Sequence, residues 1–265
     1  MKLISSAEHA VVNKDFGEIW NTKMARNTII VVPLIMVLFL PIMYLVMIFF
    51  IPSEQMNGVD QMMKLLPQEA AHFTIKQGMF YIMTNVVCPM FFLMIPLMVS
   101  SVSAACSFVG EKERGTIQTL LLTPLSIKSI FKAKVLSCII LSGISTAISF
   151  IVFSVVISAG DILLNMPFFL NWNWLVLVLL LAPGVTVFGV VFMVLVSGRS
   201  KSYMESIQTS GYIVLPLVLL FVGQFTGLFQ LNALILLIIA ACLLVADFLL
   251  WFVAARSFTP EKLLR

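Results

Sequence analysis

Residues 28–51 read TIIVVPLIMVLFLPIMYLVMIFFI, a run without one charged side chain. A bilayer hydrocarbon core of about 30 Å is crossed by about 20 helical residues at a rise of 1.5 Å each, so this run is a full membrane span. Working outward with the same ruler finds five more, at about 79–109, 135–159, 174–197, 212–229 and 231–255. Composition agrees: 61% of the 265 residues are hydrophobic, only 11% are charged and the mean hydropathy is +1.09, where a soluble domain carries roughly a quarter charged residues. The expected fold is all-α and polytopic, one domain of 265 residues, with a segment 1–27, a six-span bundle 28–255 and a tail 256–265.

The second span is uncharged from Lys76 to Glu111. As a straight helix it would be about 50 Å long, so it should tilt, project or kink, with Pro89 and Pro96 as the kink sites. The last two spans are so close that a tight helical hairpin is expected, with a shallow re-entrant piece at 223–227 as a variant. The first span begins too late and runs too long for a cleaved signal peptide, and is expected to stay as an anchor.

Six alternating spans sort the basic residues sharply. One side receives Lys2, Lys14, Lys23, Arg26, Lys112, Arg114, Lys128, Lys132, Lys134, Arg199, Lys201, Arg256, Lys262 and Arg265, and the other only Lys64 and Lys76. By the positive-inside rule the first side, with both termini, is cytoplasmic, in the cell membrane. The +4 net charge is therefore a topological signal. Scattered beside spans and without interleaved aromatics, these residues are no nucleic-acid footprint.

The polar segments are too small for a soluble domain with its own core. No glycine precedes a lysine, so a GxxxxGK[ST] phosphate loop is absent and the chain binds no ATP by that route. Cys88, Cys106, Cys138 and Cys242 all lie in apolar runs with no CxxC pair, which argues against disulfides and zinc. His9 and His72 are isolated, and no metal site is expected. In 1–27, Phe16, Ile19, Trp20 and Met24 recur at helical spacing, with Lys14, Glu18 and Lys23 on other faces. This reads as an amphipathic interfacial helix anchored by Trp20.

The segment after the second span, GEKERGTIQTLLLTPLSIKSIFKAK (110–134), carries the functional reading. Gly115 permits a turn, Thr116 can cap a helix, and Ile117, Leu120 and Leu121 then share a face of two turns that Thr123-Pro124 ends. Ser126 can cap the helix leading into the third span. So short a helix is marginal alone, and a groove on a partner would bury its apolar face. Glu111, Glu113 and Arg114 stand ready to ion-pair with that partner or with the ends of neighbouring spans.

The string GEKERGTIQTLLLTP (110–124) with its following basic helix resembles the signature loop of ATP-binding cassette permeases of the type 2 class, the type V exporter fold. Lys14 to Pro41, with its Lys14-Asp15 pair, Glu18, Arg26 and Pro33, resembles that family's interfacial helix and first span, and SFTPEKLL (257–264) its tail. Gln118 stands where the family often has glutamate, and Ala133 where it often has glycine. The resemblance implies a permease half that dimerises, with itself or a related permease, and pairs with two separate ATPase subunits. ATP and Mg would sit on those partners, and this chain would bind no cofactor and be no enzyme. Glu111, Glu113, Arg114, Gly115, Thr116, Ile117, Leu120, Leu121, Leu122 and Pro124 would form the coupling segment set into the ATPase. Phe16 to Met24 would touch the ATPase too, and spans one, two and five would line the dimer interface and the path.

Asp247 is the one acid deep in a span, where an aspartate costs about 2.5–3.5 kcal/mol on insertion scales. It needs a partner or water. It reads either as an ion-coupling or substrate-contact carboxylate or as a structural hydrogen bond to a neighbouring helix. Cys138, Ser142, Ser145 and Ser149 keep one face of the third span, as helix packing requires. The leading expectation is the permease subunit of an ATP-driven exporter moving a hydrophobic or amphipathic molecule, such as a peptide, antibiotic or lipid, among membrane lipids. Sodium or polysaccharide export and an ion-coupled carrier using Asp247 are the alternatives. A membrane hydrolase lacks HExxH, GxSxG or a second acid near Asp247.

Overall fold

A computed structural model of the chain describes residues 6–50, 66, 70, 72–116, 119, 122–123, 125–198, 200, 202–226 and 232–257. Among them there are helices and no strands. The first helix, α1, spans Ser6–Asn21. Six longer helices follow, each apolar enough to cross a membrane: α2 Lys23–Phe50, α3 Ile75–Glu113, α4 Ile127–Leu163, α5 Trp172–Ser197, α6 Tyr203–Gln224 and α7 Ala233–Arg256. These match the six expected runs, most of them extended by a few polar residues at the ends.

The helix starts are written in the local sequence. Thr74 and Gln77 form a reciprocal capping box before α3, Ser126 Oγ accepts from Ser129 N at 3.2 Å before α4, and Asn171 Oδ1 accepts from Trp174 N at 3.1 Å before α5. Each satisfies an amide that the first helical turn leaves open. Of the two proposed kink sites in α3, only Pro89 has a distortion ahead of it, a π turn at Met83–Val87. A ring without an N–H cannot close the ordinary bond to the preceding turn, and the wider turn accommodates it. At Pro96 the helix stays α. Pro183 repeats the device in α5, behind the π turn Leu177–Leu181.

The central helix is α3. Two-thirds of its most apolar stretch is buried (67%), against 22% for α2 and 17% each for α6 and α7. Apolar surface gives no hydrophobic drive between helices inside lipid, so close backbone approach and interlocking side chains hold the bundle. Gly189 of α5 lies against Ser100 of α3 so tightly that any β-carbon would overlap Ser100 Oγ and crowd the Leu97 carbonyl at 3.3 Å. Trp174 of α5 is enclosed by rings from α3 and α4, with centroids 5.8 Å from Phe92, 6.1 Å from Phe150 and 4.9 Å from Phe153.

At the end near Trp174, Gln77 donates to the Leu164 carbonyl at 2.9 Å, Asn171 to Asn85 at 2.6 Å, and the Phe169 amide to Asp161 at 2.9 Å. The opposite end gathers α1, the end of α3, the start of α4 and the start of α6. In the α6–α7 connection, α6 runs as helix past Gly223, and 227–231 lie outside the described residues.

Candidate functional site

The residues flanking the 110–126 segment do not stand free. Lys134, in the second turn of α4, points its amine into a space shared with α1 and the end of α3. It donates to Asp15 Oδ1 at 3.3 Å, to the Ser107 carbonyl at 2.9 Å and to Ser107 Oγ at 3.2 Å, and pairs with Glu111 Oε2 at 2.9 Å. The side chains are sealed from solvent, with exposures of 2% for Lys134, 0% for Asp15 and 1% for Glu111. Asp15 Oδ2 accepts from Ser107 Oγ at 2.8 Å and Ser137 Oγ at 2.9 Å.

The lattice continues outward to partly exposed groups. Lys14 Nζ reaches Glu111 Oε1 at 2.6 Å, and Arg114 Nη2 reaches Glu18 Oε2 at 3.2 Å. Gly110 makes the second contact possible, because Arg114 folds back over it with Nη2 only 3.1 Å from where a β-carbon would be. Beside the lattice, Glu113 Oε2 accepts from the Tyr203 amide at 3.0 Å and Lys112 donates to the Ser200 carbonyl at 3.4 Å. The start of α6 is thereby fixed to the end of α3.

Asp15, Glu18 and Glu111 bring carboxylate oxygens within 4.8 Å of one another, a spacing that a cation would also satisfy. Lys14, Arg114 and Lys134 supply three positive charges to the same three acids. The cluster is thus electrically balanced by side chains, and reads as an ion lattice and not as a metal centre.

The π turn at Ala105–Val109 lies in this lattice and presents Ser107 to Lys134. Gly115 takes φ +71 after the last turn of α3, a left-handed conformation that a β-carbon disfavours. Thr116 turns back, its amide donating to the Glu111 carbonyl at 3.0 Å. Leu122 is 86% exposed. Ile117, Leu120, Leu121 and Pro124 lie outside the described residues.

The face that the first helix turns to the bundle overlaps the expected apolar row only in part. Its buried side is Val11, Val12, Asp15 and Ile19, while Phe16 is half-buried and Trp20 and Met24 are exposed. Met24 belongs to α2, beyond the joint at Thr22. Val11 and Val12 pack on Ala133 of α4, and Asp15 sits on the same face because Lys134 receives it.

Asp247 is buried on α7 beside Gly184 of α5, whose β-carbon position lies 4.0 Å from Oδ2. Neither carboxylate oxygen has a hydrogen-bond partner among the described residues. It lies outside the lattice. A narrow apolar cleft between α2, α3 and α4, lined by Met36, Leu40, Phe91 and Phe153 among others, has a volume of about 10 Å³, room for one water at most.

Sequence reasoning reached Glu111, Glu113 and Arg114, met Asp15 only within the family resemblance and without a partner, and gave Lys134, Ser107 and Ser137 no role in a site. One signal was available: an aspartate in the apolar row Val11, Val12, Asp15, Ile19 demands a buried partner.

Six helices long and apolar enough to cross a membrane, among the described residues, define a polytopic membrane protein. The chain matches the ABC-2 family transporter protein family over residues 9–258 and belongs to that family. It is a transmembrane permease subunit of an ATP-binding cassette transporter, a class that works with ABC ATPase subunits. No curated protein and no solved structure matches the chain.

Proposed function

We propose that this chain is the permease half of an ATP-driven exporter. The 110–126 segment faces the cytosol with both termini and docks in a cleft on a separate ATPase, which carries the ATP and Mg. Two permease chains, identical or related, and two ATPases form the working unit. The supporting observation is the segment's mounting: its stems are tied into a buried ion lattice, while Leu122 within it is 86% exposed. An exposed leucine on a firmly held base suits insertion into a partner's groove.

Closure of the ATPase pair then displaces the segments and shifts the spans between two packings, the free energy coming from the difference in partner contacts between the two states. The cargo class is hydrophobic or amphipathic. The cleft between α2, α3 and α4 is too small for such a molecule.

The test is reconstitution in lipid vesicles with the cognate ATPase. ATP-dependent export of a fluorescent amphipathic peptide, abolished when 117–122 is deleted, supports the reading. Export without the ATPase overturns it. The unpaired Asp247 carboxylate favours a second reading, an ion-coupled carrier, for which transport would survive ATP depletion and collapse in Asp247→Asn.

A further inference from the structure

The Lys134 lattice has a property that anchoring alone does not require. α1 already packs on α4 through Val11, Val12 and Ala133. Adding buried charges to such an interface contributes little net stability, because desolvation offsets most of the attraction, but it makes relative sliding of the elements strongly unfavourable. Three elements share the lattice: α1 through Asp15, the end of α3 through Ser107 and Glu111, and the start of α4 through Lys134 and Ser137. Moving any one of them leaves a sealed charge without its partner. The last two are the two stems of the 110–126 segment.

α1 is also joined to α2 with little slack. The Thr22 amide donates to the Glu18 carbonyl at 3.0 Å and the Arg26 amide to the Thr22 carbonyl at 2.9 Å, so helical bonding runs through the joint. Cys106 Sγ of α3 approaches Thr22 Oγ1 at 3.8 Å on the same side.

We propose that Lys134 is a positioning residue, seated in Asp15 and Glu111, that makes α1 and both stems of the segment move as one body. Displacement of the segment is thereby delivered through α1 to α2, and not only along α3 and α4. The inference rests on the permease reading and adds the route of transmission.

The test uses the full chain with its cognate ATPase in lipid. Lys134→Met alone strands Asp15 and is expected to lower the yield of assembled complex. Asp15→Asn with Lys134→Met removes both charges, leaves Glu111 paired with Lys14, and is expected to assemble and hydrolyse ATP near the wild-type rate. Cargo moved per ATP in the double variant should fall by roughly tenfold. A double variant with wild-type coupling reduces Lys134 to a structural role and overturns the proposal.

A second readout needs no change to the lattice. Spin labels on Asn13→Cys and Lys132→Cys, both exposed positions, should keep one distance between nucleotide-free and ATP-trapped complexes. A shift between those states in the wild-type background overturns the rigid unit. If the wild-type chain forms no complex with the ATPase, the permease reading itself fails, a result distinct from a complex that forms and transports while its labels move apart.

Discussion

Glu111 Oε1 and Lys14 Nζ lie 2.6 Å apart, while the other oxygen of the same carboxylate faces Lys134 Nζ at 2.9 Å. One acid thus holds two cations in unequal surroundings, since the Lys14 side chain is 41% exposed and that of Lys134 is 2% exposed. Lys14→Met should scarcely alter stability, because the exposed partner is screened and Glu111 keeps Lys134. Lys134→Met strands the buried Asp15 carboxylate, while Glu111 keeps Lys14, and should cost about 3–5 kcal/mol. Thermal unfolding of the two variants in detergent, compared side by side, reads the difference.

The approach of α5 to α3 leaves no volume at Gly189. Ser100 and the Leu97 backbone cannot both withdraw, so Gly189→Val should destabilise the bundle by about 1–3 kcal/mol. Gly143 has open space around its β-carbon position, and Gly143→Ala should be tolerated. The paired unfolding curves check this contrast.

Sidedness is open to chemical labelling. The four native cysteines lie in apolar runs, and three are buried, so background reaction with a membrane-impermeant maleimide should be low. Leu122→Cys should react only when the reagent has access to the cytosolic face. Ser53→Cys, in the segment after the first span, should react from outside. Labelling of both from one side would break the span count, and labelling from exchanged sides would reverse the topology.

Asp247 has no hydrogen-bond partner among the described residues, and removing the charge takes away a desolvation cost without breaking a contact. Asp247→Asn should leave ATP-driven export within about twofold of wild type. Export assays with and without an ion gradient check it, and loss of export in Asp247→Asn would move this residue into the transport path.

The span count was legible because each apolar run comes close to or exceeds the thickness of the bilayer core, a local property needing no knowledge of neighbours. The lattice was hidden for the opposite reason. Asp15 and Lys134 are separated by 119 residues, and Lys14 and Glu111 by 97, so no window of sequence contains both partners. Lys134 also looked like one more flanking charge obeying the positive-inside rule. Its neighbour Lys132 is exposed while Lys134 is buried, and only the packing of α1 separates the two. Pro89 and Pro96 teach the same lesson at shorter range, since both remove an amide but only the first is preceded by a π turn.

The docking of the 110–126 segment on an ATPase is most directly tested by the affinity of the lipid-embedded chain for its purified cognate ATPase, with Leu122→Asp as the variant. Burying one leucine contributes about 2 kcal/mol, so replacing it by a charge should weaken binding by more than about thirtyfold. Unchanged affinity in Leu122→Asp would contradict the docking of this segment in the ATPase cleft.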